Sequence, residues 1–243
     1  MNFDSVAPIF KGYKVLVATI TSDAKKYCQE EFLNNLKLLD YKHSDFIIID
    51  NSETVKNSVG IEKHGFKTFW LPRKGKTAKQ MMYQSENFLR EKFLKGGYHF
   101  LMRIESDLFP PQDIVQRLMM HTGLDGKALP IVSAAYFITN DGKDHLMMQD
   151  MEEAGTGAKE LMMCNVTDMH DMVRMTGKLE KTASCGMGCM LTVKEVEENI
   201  ELKYDDRLYP DAQWHYHANQ LGYNKFIDTS ILVEHQNKAW EHE

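Results

Sequence analysis

The sequence predicts an α/β protein, a mostly parallel sheet flanked by helices and built as a single continuous domain. Three observations predict it. Short apolar runs alternate with amphipathic helical stretches through the first half, the pattern of a parallel sheet covered by helices. The run Phe100-Leu-Met-Arg-Ile104 leads into Glu105-Ser-Asp107 and is stopped by Pro110-Pro111, so a buried strand ends at paired carboxylates. No internal repeat or low-complexity linker divides the 243 residues, a length that can bury a substantial core.

Lys14-Val-Leu-Val-Ala-Thr19 reads as the first strand, and residues 24–39 follow as a helix with Cys28, Phe32, Leu36 and Leu39 at helical spacing. Asp45-Phe-Ile-Ile-Ile-Asp50 is a second buried strand ending in the turn-forming Asp50-Asn-Ser52. Residues 66–71 make a third. After the basic loop Arg73-Lys-Gly-Lys76 a helix spans about residues 77–94, ended by Gly96 and Gly97, and the carboxylate-tipped strand comes next. Residues 129–138 read as another strand. Residues 139–182 are polar, Met-rich and without usable periodicity, the texture of a lid or acceptor loop. Regularity returns at Ser184-Cys-Gly-Met-Gly188, before the strand Cys189-Met-Leu-Thr192 and a helix from about Val193. A last helix covers residues 210–221, with Gly222 as its stop. Phe226-Ile-Asp228 and Ile231-Leu-Val-Glu-His235 end the fold.

Hydrophobic content of 43% and charged content of 26% are ordinary for a globular protein. A net charge of −6 argues against a phosphate-tracking nucleic-acid binder. The four cysteines show no zinc-type pairing; with no secretory signal they read as reduced thiols of a cytoplasmic protein. No apolar run approaches the roughly 20 residues needed to span a bilayer.

In a continuing strand Glu105 and Asp107 would share one face, with Ser106 opposite. Carboxylates at the carboxyl end of a strand lie where open α/β sheets bind ligands, and such a pair suits Mg²⁺ or Mn²⁺ holding phosphate oxygens as well. The cations of the basic loop and Lys79 can approach a phosphate, although at least two of them read as a solvated face. His215 and His217 are two apart on one helix and cannot form a metal pair. Trp214 reads as core packing.

Taken in order, Ala18-Thr19, Asp50-Asn-Ser52, Ile104-Glu-Ser-Asp107, Gly186-Met-Gly188, the stretch Tyr209-Pro-Asp-Ala-Gln-Trp-His-Tyr-His-Ala-Asn-Gln-Leu-Gly-Tyr223 and Val233-Glu-His235 resemble a GT-A type glycosyltransferase. The resemblance is greatest to the family-2 group of nucleotide-sugar-dependent enzymes and covers roughly residues 13–236. Glu105 stands at the first position of the family's aspartate-x-aspartate motif, Pro210 replaces a glutamate, and His217 replaces a common arginine.

The resemblance implies a Rossmann-like GT-A sheet in which residues 1–120 bind the nucleotide sugar and residues 121–243 form the acceptor-binding and catalytic half of the same domain. It implies metal-assisted transfer, with inversion, from a nucleotide-diphosphate sugar to the hydroxyl of a glycan, lipid-linked or other acceptor. Asp211 is the implied base, with helix capping the equally weighted alternative. Asp107 and His235 are the implied Mn²⁺ or Mg²⁺ ligands, and Glu105 acts directly or through water. Thr19 and Asp50 are expected at the nucleoside, the resemblance favouring this role of Asp50 over its alternative of turning the chain; Lys76 and Lys79 are expected near the diphosphate. A nucleotidyltransferase is disfavoured because Thr19-Ile-Thr-Ser-Asp23 contains no glycine for a phosphate loop. A non-catalytic nucleotide-sugar binder would keep Asp50 and the cation site and leave Asp211 dispensable.

Overall fold

The structure, a computed structural model, describes residues 12–122, 129–140, 143–151, 161–165 and 175–236. Its first half alternates as expected: β1 (Val15–Thr21), α1 (Gln29–Lys37), β2 (Ser44–Asp50), α2 (Lys56–Glu62), β3 (Lys67–Trp70), α3 (Ala78–Lys95) and β4 (Phe100–Ile104). There follow β5 (Leu108–Phe109), α4 (Ile114–Met119), β6 (Ile131–Ala135), β7 (Phe137–Asn140), β8 (Lys143–Met151) and β9 (Leu161–Asn165). The chain closes with β10 (Leu179–Thr182), β11 (Cys189–Val193), α5 (Lys194–Asn199), α6 (Pro210–Gln220), β12 (Lys225–Leu232) and β13 (Glu234–His235).

The main sheet has eight strands in the order β10-β12-β6-β11-β4-β1-β2-β3. β1 pairs in parallel with β2 and β4, β2 with β3, and β6 with β12, while β11 and β10 run against their neighbours. From β1 the chain builds outward to β3, then α3 carries it back across to β4 on the other side of β1. That reversal makes a topological switch point, and ligands of open α/β sheets bind outside the carboxyl ends of the strands at such a point. Alternation along β1 covers both faces: Val15 and Val17 pack with Phe32, Leu33 and Leu36 of α1, and Leu16 and Ala18 with Leu89 and Phe93 of α3. α3 starts at a capping box, in which Thr77 Oγ1 accepts from Gln80 N and Gln80 Oε1 accepts from Thr77 N.

The helix expected over residues 24–39 begins only at Gln29; Asp23–Lys25 form a single 3₁₀ turn instead. Asp23 N donates to Ser52 Oγ at 2.8 Å and Lys25 Nζ donates to Asp107, so tertiary contacts override the helical pattern there. Part of the stretch read as a lid or acceptor loop is sheet: β7, β8 and β9 form an antiparallel three-stranded unit and β10 joins the main sheet. Residues 141–142, 152–160 and 166–174 of that stretch lie outside the described residues. Among the described residues no helix is long and apolar enough to cross a membrane, and Cys28, Cys185 and Cys189 are free, buried thiols.

Beneath α6, His215 is fully buried, with Nε2 3.2 Å from Gly186 O, and the buried Lys225 donates to Asn219 Oδ1. Burial and the Lys225 charge push the imidazole down to about 3. The unfolded chain takes up this proton as pH falls below the ordinary histidine value, whereas the folded one does not until about pH 3. This contribution to stability is therefore intact above about pH 6.5 and lost progressively on acidification to pH 3. In urea titrations across that window, His215→Gln should flatten the acid limb by up to about 1.4 kcal/mol per pH unit. An unchanged limb would assign the acid sensitivity to other groups.

Candidate active site

β4 ends at Ile104 and the chain turns at once: Leu108 N donates to Glu105 O at 3.1 Å, and Glu105 N donates to Gly188 O at 2.7 Å. The alternation expected for Glu105-Ser-Asp107 is thereby corrected. Ser106 and Asp107 are both buried and Glu105 is exposed; the turn, and not a strand face, brings the carboxylates together. The short β5 after this turn pairs antiparallel with β13, setting His235 opposite Leu108, and Gln236 N donates to Asp107 O at 2.9 Å. A residue far along the chain thus lands beside Asp107. One ligand atom from each of Glu105, Asp107 and His235 lies within 4.8 Å of the others.

The donor set fits a divalent cation. Asp107 Oδ1 is buried and has no hydrogen-bond partner, a costly condition that a ligand would relieve. His235 Nδ1 lies 2.7 Å from Phe137 O; a carbonyl only accepts, so Nδ1 carries the proton and neutral His235 keeps its Nε2 lone pair for coordination. Nε2 is 3.4 Å from Asp107 Oδ2. The edge of Tyr136 meets the imidazole at a centroid distance of 5.8 Å and 89°. Tyr136 is itself seated by the Gly186-Met-Gly188 segment: a Cβ on Gly186 would come within 2.2 Å, and one on Gly188 within 2.7 Å, of its hydroxyl oxygen. Gly188 N donates to that oxygen at 3.2 Å. These glycines hold a tyrosine behind the histidine.

Electrostatics separates the two carboxylates. Glu105 is exposed to solvent on its cleft side yet crowded by protein; desolvation and the Asp107 charge push it up to about 7. Burial alone would raise Asp107, but the protonated form of His235, which Asp107 itself favours, and the Lys25 ammonium outweigh it and hold that carboxyl at about 2.

Asp211 is not the N-cap of α6. Tyr209 occupies that position without a side-chain cap, Pro210 is the first helical residue, and Asp211 follows in the first turn. One of its oxygens accepts from Ala212 N at 2.8 Å. The half-buried carboxyl is raised by desolvation, and its charge contributes to the upward shift of Glu105, so Asp211 and the triad share one electrostatic neighbourhood.

Other expected residues have different partners. Asp50 is fully buried, and its carboxylate accepts from Ser52 N at 3.1 Å, Ser52 Oγ at 2.5 Å, Asn57 Nδ2 at 3.1 Å and Ser58 Oγ at 2.6 Å. These internal donors make it tie β2 to α2. Thr19 is buried and donates to Ile104 O at 2.9 Å, bracing β1 against the end of β4. Lys76 Nζ donates to Gln84 Oε1; Lys79 Nζ donates to Asp206 O at 2.8 Å and lies 4.5 Å from the centroid of Tyr209. Their partners belong to α3 and to the loop before α6, and neither lysine contacts the triad. Trp214 is core, as expected, and His215 is buried while the side chain of His217 lies on a more open face.

Sequence reasoning overlooked Lys25 and Tyr27. Both donate to Asp107 Oδ2, Tyr27 at 3.2 Å, and Tyr27 also donates to Gln236 O at 3.0 Å. A lone lysine and tyrosine in a helix-like stretch carry no signal of this.

The switch-point topology and the acidic triad beyond β4 define a Rossmann-like α/β protein of the GT-A type. The chain is similar to GalNAc-T7 in a structure with UDP, GalNAc and Mn²⁺: TM-score 0.61 at 12% identity, over 92% of this chain and 44% of that one. It therefore spans less than half of that protein. It is also similar to A197 from STIV, with TM-score 0.50 at 12% identity over 91% and 85% of the two chains. CMP:2-keto-3-deoxy-manno-octonic acid synthetase complexed with CTP overlaps more loosely, with TM-score 0.48 at 10% identity over 88% of each chain. No protein-family model matches the chain, and no curated sequence matches it. At these identities the likeness is one of fold.

Proposed function

We propose that this protein is a glycosyltransferase that moves a sugar from a nucleotide-diphosphate sugar to an acceptor hydroxyl, with metal assistance and inversion. The observation that carries the reading is the Glu105, Asp107 and His235 triad at the switch point, with Asp107 Oδ1 buried and unpartnered among the described residues. When bound, a divalent cation, Mn²⁺ or Mg²⁺, supplies Lewis-acid neutralisation of the charge that grows on the departing diphosphate. Asp107 and His235 would hold it, with Glu105 completing the set. Asp211 takes the proton from the acceptor hydroxyl as its oxygen bonds to the anomeric carbon and the sugar–phosphate bond breaks. Single displacement of this kind inverts the anomeric centre. The acceptor hydroxyl belongs to a glycan, a lipid-linked sugar or a comparable molecule.

The test is thermal stabilisation by UDP-, GDP-, CMP- and dTDP-sugars with and without Mn²⁺, since a ligand of the native state raises stability in proportion to its binding. Metal-dependent stabilisation by at least one donor is expected. Asp107→Asn should abolish the Mn²⁺-dependent part while the protein remains folded, and Glu105→Asp should be better tolerated than Glu105→Ala. Retention of full Mn²⁺ dependence in Asp107→Asn removes the metal assignment.

A further inference from the structure

We propose that Lys25 is a tethered counter-cation of the triad: it competes with a divalent ion for Asp107 and becomes a ligand of the diphosphate when metal and diphosphate arrive together. The inference rests on the glycosyltransferase reading and deepens it. Lys25 Nζ donates to Asp107 Oδ2, on the same carboxylate whose Oδ1 is buried without a partner. The lysine side chain is 28% exposed against 2% for the aspartate, so solvent reaches the pair from the lysine.

The turn that carries Lys25 is held in place by its neighbours. Asp23 N donates to Ser52 Oγ, and Ser52 Oγ donates in turn to the buried Asp50. On the other side Cys28 Sγ lies 3.4 Å from Ser106 O, and Tyr27 joins Asp107 to Gln236. The Asp50 network therefore fixes the backbone from which Lys25 reaches the metal carboxylate.

Charge balance indicates what Lys25 does. A bare divalent ion entering the triad must displace an ammonium already paired with Asp107, and like charge opposes it. A metal–diphosphate complex brings its own anion, so the displaced ammonium exchanges one partner for another within reach of its flexible four-carbon stem. When the sugar leaves, the diphosphate gains a further negative charge, and an ammonium beside it stabilises that charge more than the ground state. Lys25 would thereby make the site poor at holding free metal and good at holding metal with its diphosphate.

The test uses the full chain as native protein, Lys25→Met and Lys25→Arg. Free Mn²⁺ is followed by electron paramagnetic resonance during titration with Mn²⁺ alone, and calorimetry then measures inorganic pyrophosphate at saturating Mn²⁺. Lys25→Met should bind Mn²⁺ alone about tenfold more tightly and pyrophosphate about tenfold more weakly, each a shift of about 1.4 kcal/mol. Lys25→Arg should stay near native on both. Loss of a purely structural anchor would weaken both bindings together, so opposite signs are the mark of the proposed role. Shifts in the same direction, or none, overturn this inference while leaving the donor site standing. Failure of all three proteins to bind either probe overturns the donor-site reading and this inference with it.

Discussion

Asp211→Asn is expected to lower sugar transfer by roughly 10²–10⁴-fold, the usual worth of general-base assistance, while donor affinity and melting temperature stay near native. The substitution isolates chemistry because the amide oxygen of Asn can still accept from Ala212 N, the contact Asp211 makes at 2.8 Å. Asp211 is not the N-cap residue, as Tyr209 holds that position, and the first-turn N–H that its side chain satisfies, that of Ala212, keeps an acceptor in Asn. Desolvation raises this carboxyl, and transfer should fall as acid protonates it, with a midpoint above that of an ordinary aspartate. Steady-state rates and donor affinities for both proteins across pH 4 to 8 check this, a range of about four units around the ordinary carboxyl and imidazole values. Native turnover in Asp211→Asn would exclude the residue from the mechanism. If the unmutated protein neither transfers sugar to an acceptor nor hydrolyses any donor, a non-catalytic nucleotide-sugar binder becomes the better reading.

How far the sequence could be read depended on whether a residue's neighbours were local. β1, β2 and β4 are legible because their apolar runs, broken in β4 only by Arg103, have little alternative to a buried strand. α3 is legible from its long amphipathic period. α2 is not, because two of its buried residues, Asn57 and Ser58, are polar; they turn inward to bind Asp50, and a hydropathy pattern cannot register that. In the site, Glu105, Asp107 and His235 come together as a candidate metal triad, but the mechanism of their approach differs from the expected one. A turn after Ile104 and the pairing of β13 with β5 assemble them, and neither leaves a local signature. Asp50 carries partners that the sequence does not show: Ser52, Asn57 and Ser58 donate to its carboxylate only because the fold turns α2 onto the end of β2.

Glu197→Ala is expected to cost about 3–5 kcal/mol of folding stability, the range for breaking a buried ion pair by deleting one partner. Arg103 lies within the apolar run of β4 and is 4% exposed. Its guanidinium makes a bidentate pair with Glu197 at 2.7 and 3.0 Å and a further bond to Glu86 at 3.1 Å. Thr192 Oγ1 also donates to Glu197 at 2.7 Å. Removing Glu197 leaves Arg103 with one carboxylate to balance a buried charge and leaves the Thr192 hydroxyl only the longer contact to Leu101 O, at 3.4 Å. Urea unfolding monitored by circular dichroism measures the loss; a change below about 1 kcal/mol, the level of a surface pair, would mean that water reaches and screens the cluster. Joint replacement, Arg103→Met with Glu197→Leu and Glu86→Leu, should recover much of the loss, because well-packed apolar groups often match a buried ionic cluster in stability. The cluster also bears on the site. Arg103 precedes Ile104 and Glu105 by one and two residues, and its guanidinium lies 5.7 Å from the ring centroid of Trp214, three residues beyond Asp211 on α6. One guanidinium thus links the strand that ends at Glu105 and Asp107 to the helix that carries Asp211. In the apolar triple variant the melting temperature should return toward native while transfer stays depressed, because repacking restores cohesion without restoring the fixed spacing between Asp211 and the triad. Recovery of transfer together with stability would show that the network supports the fold alone.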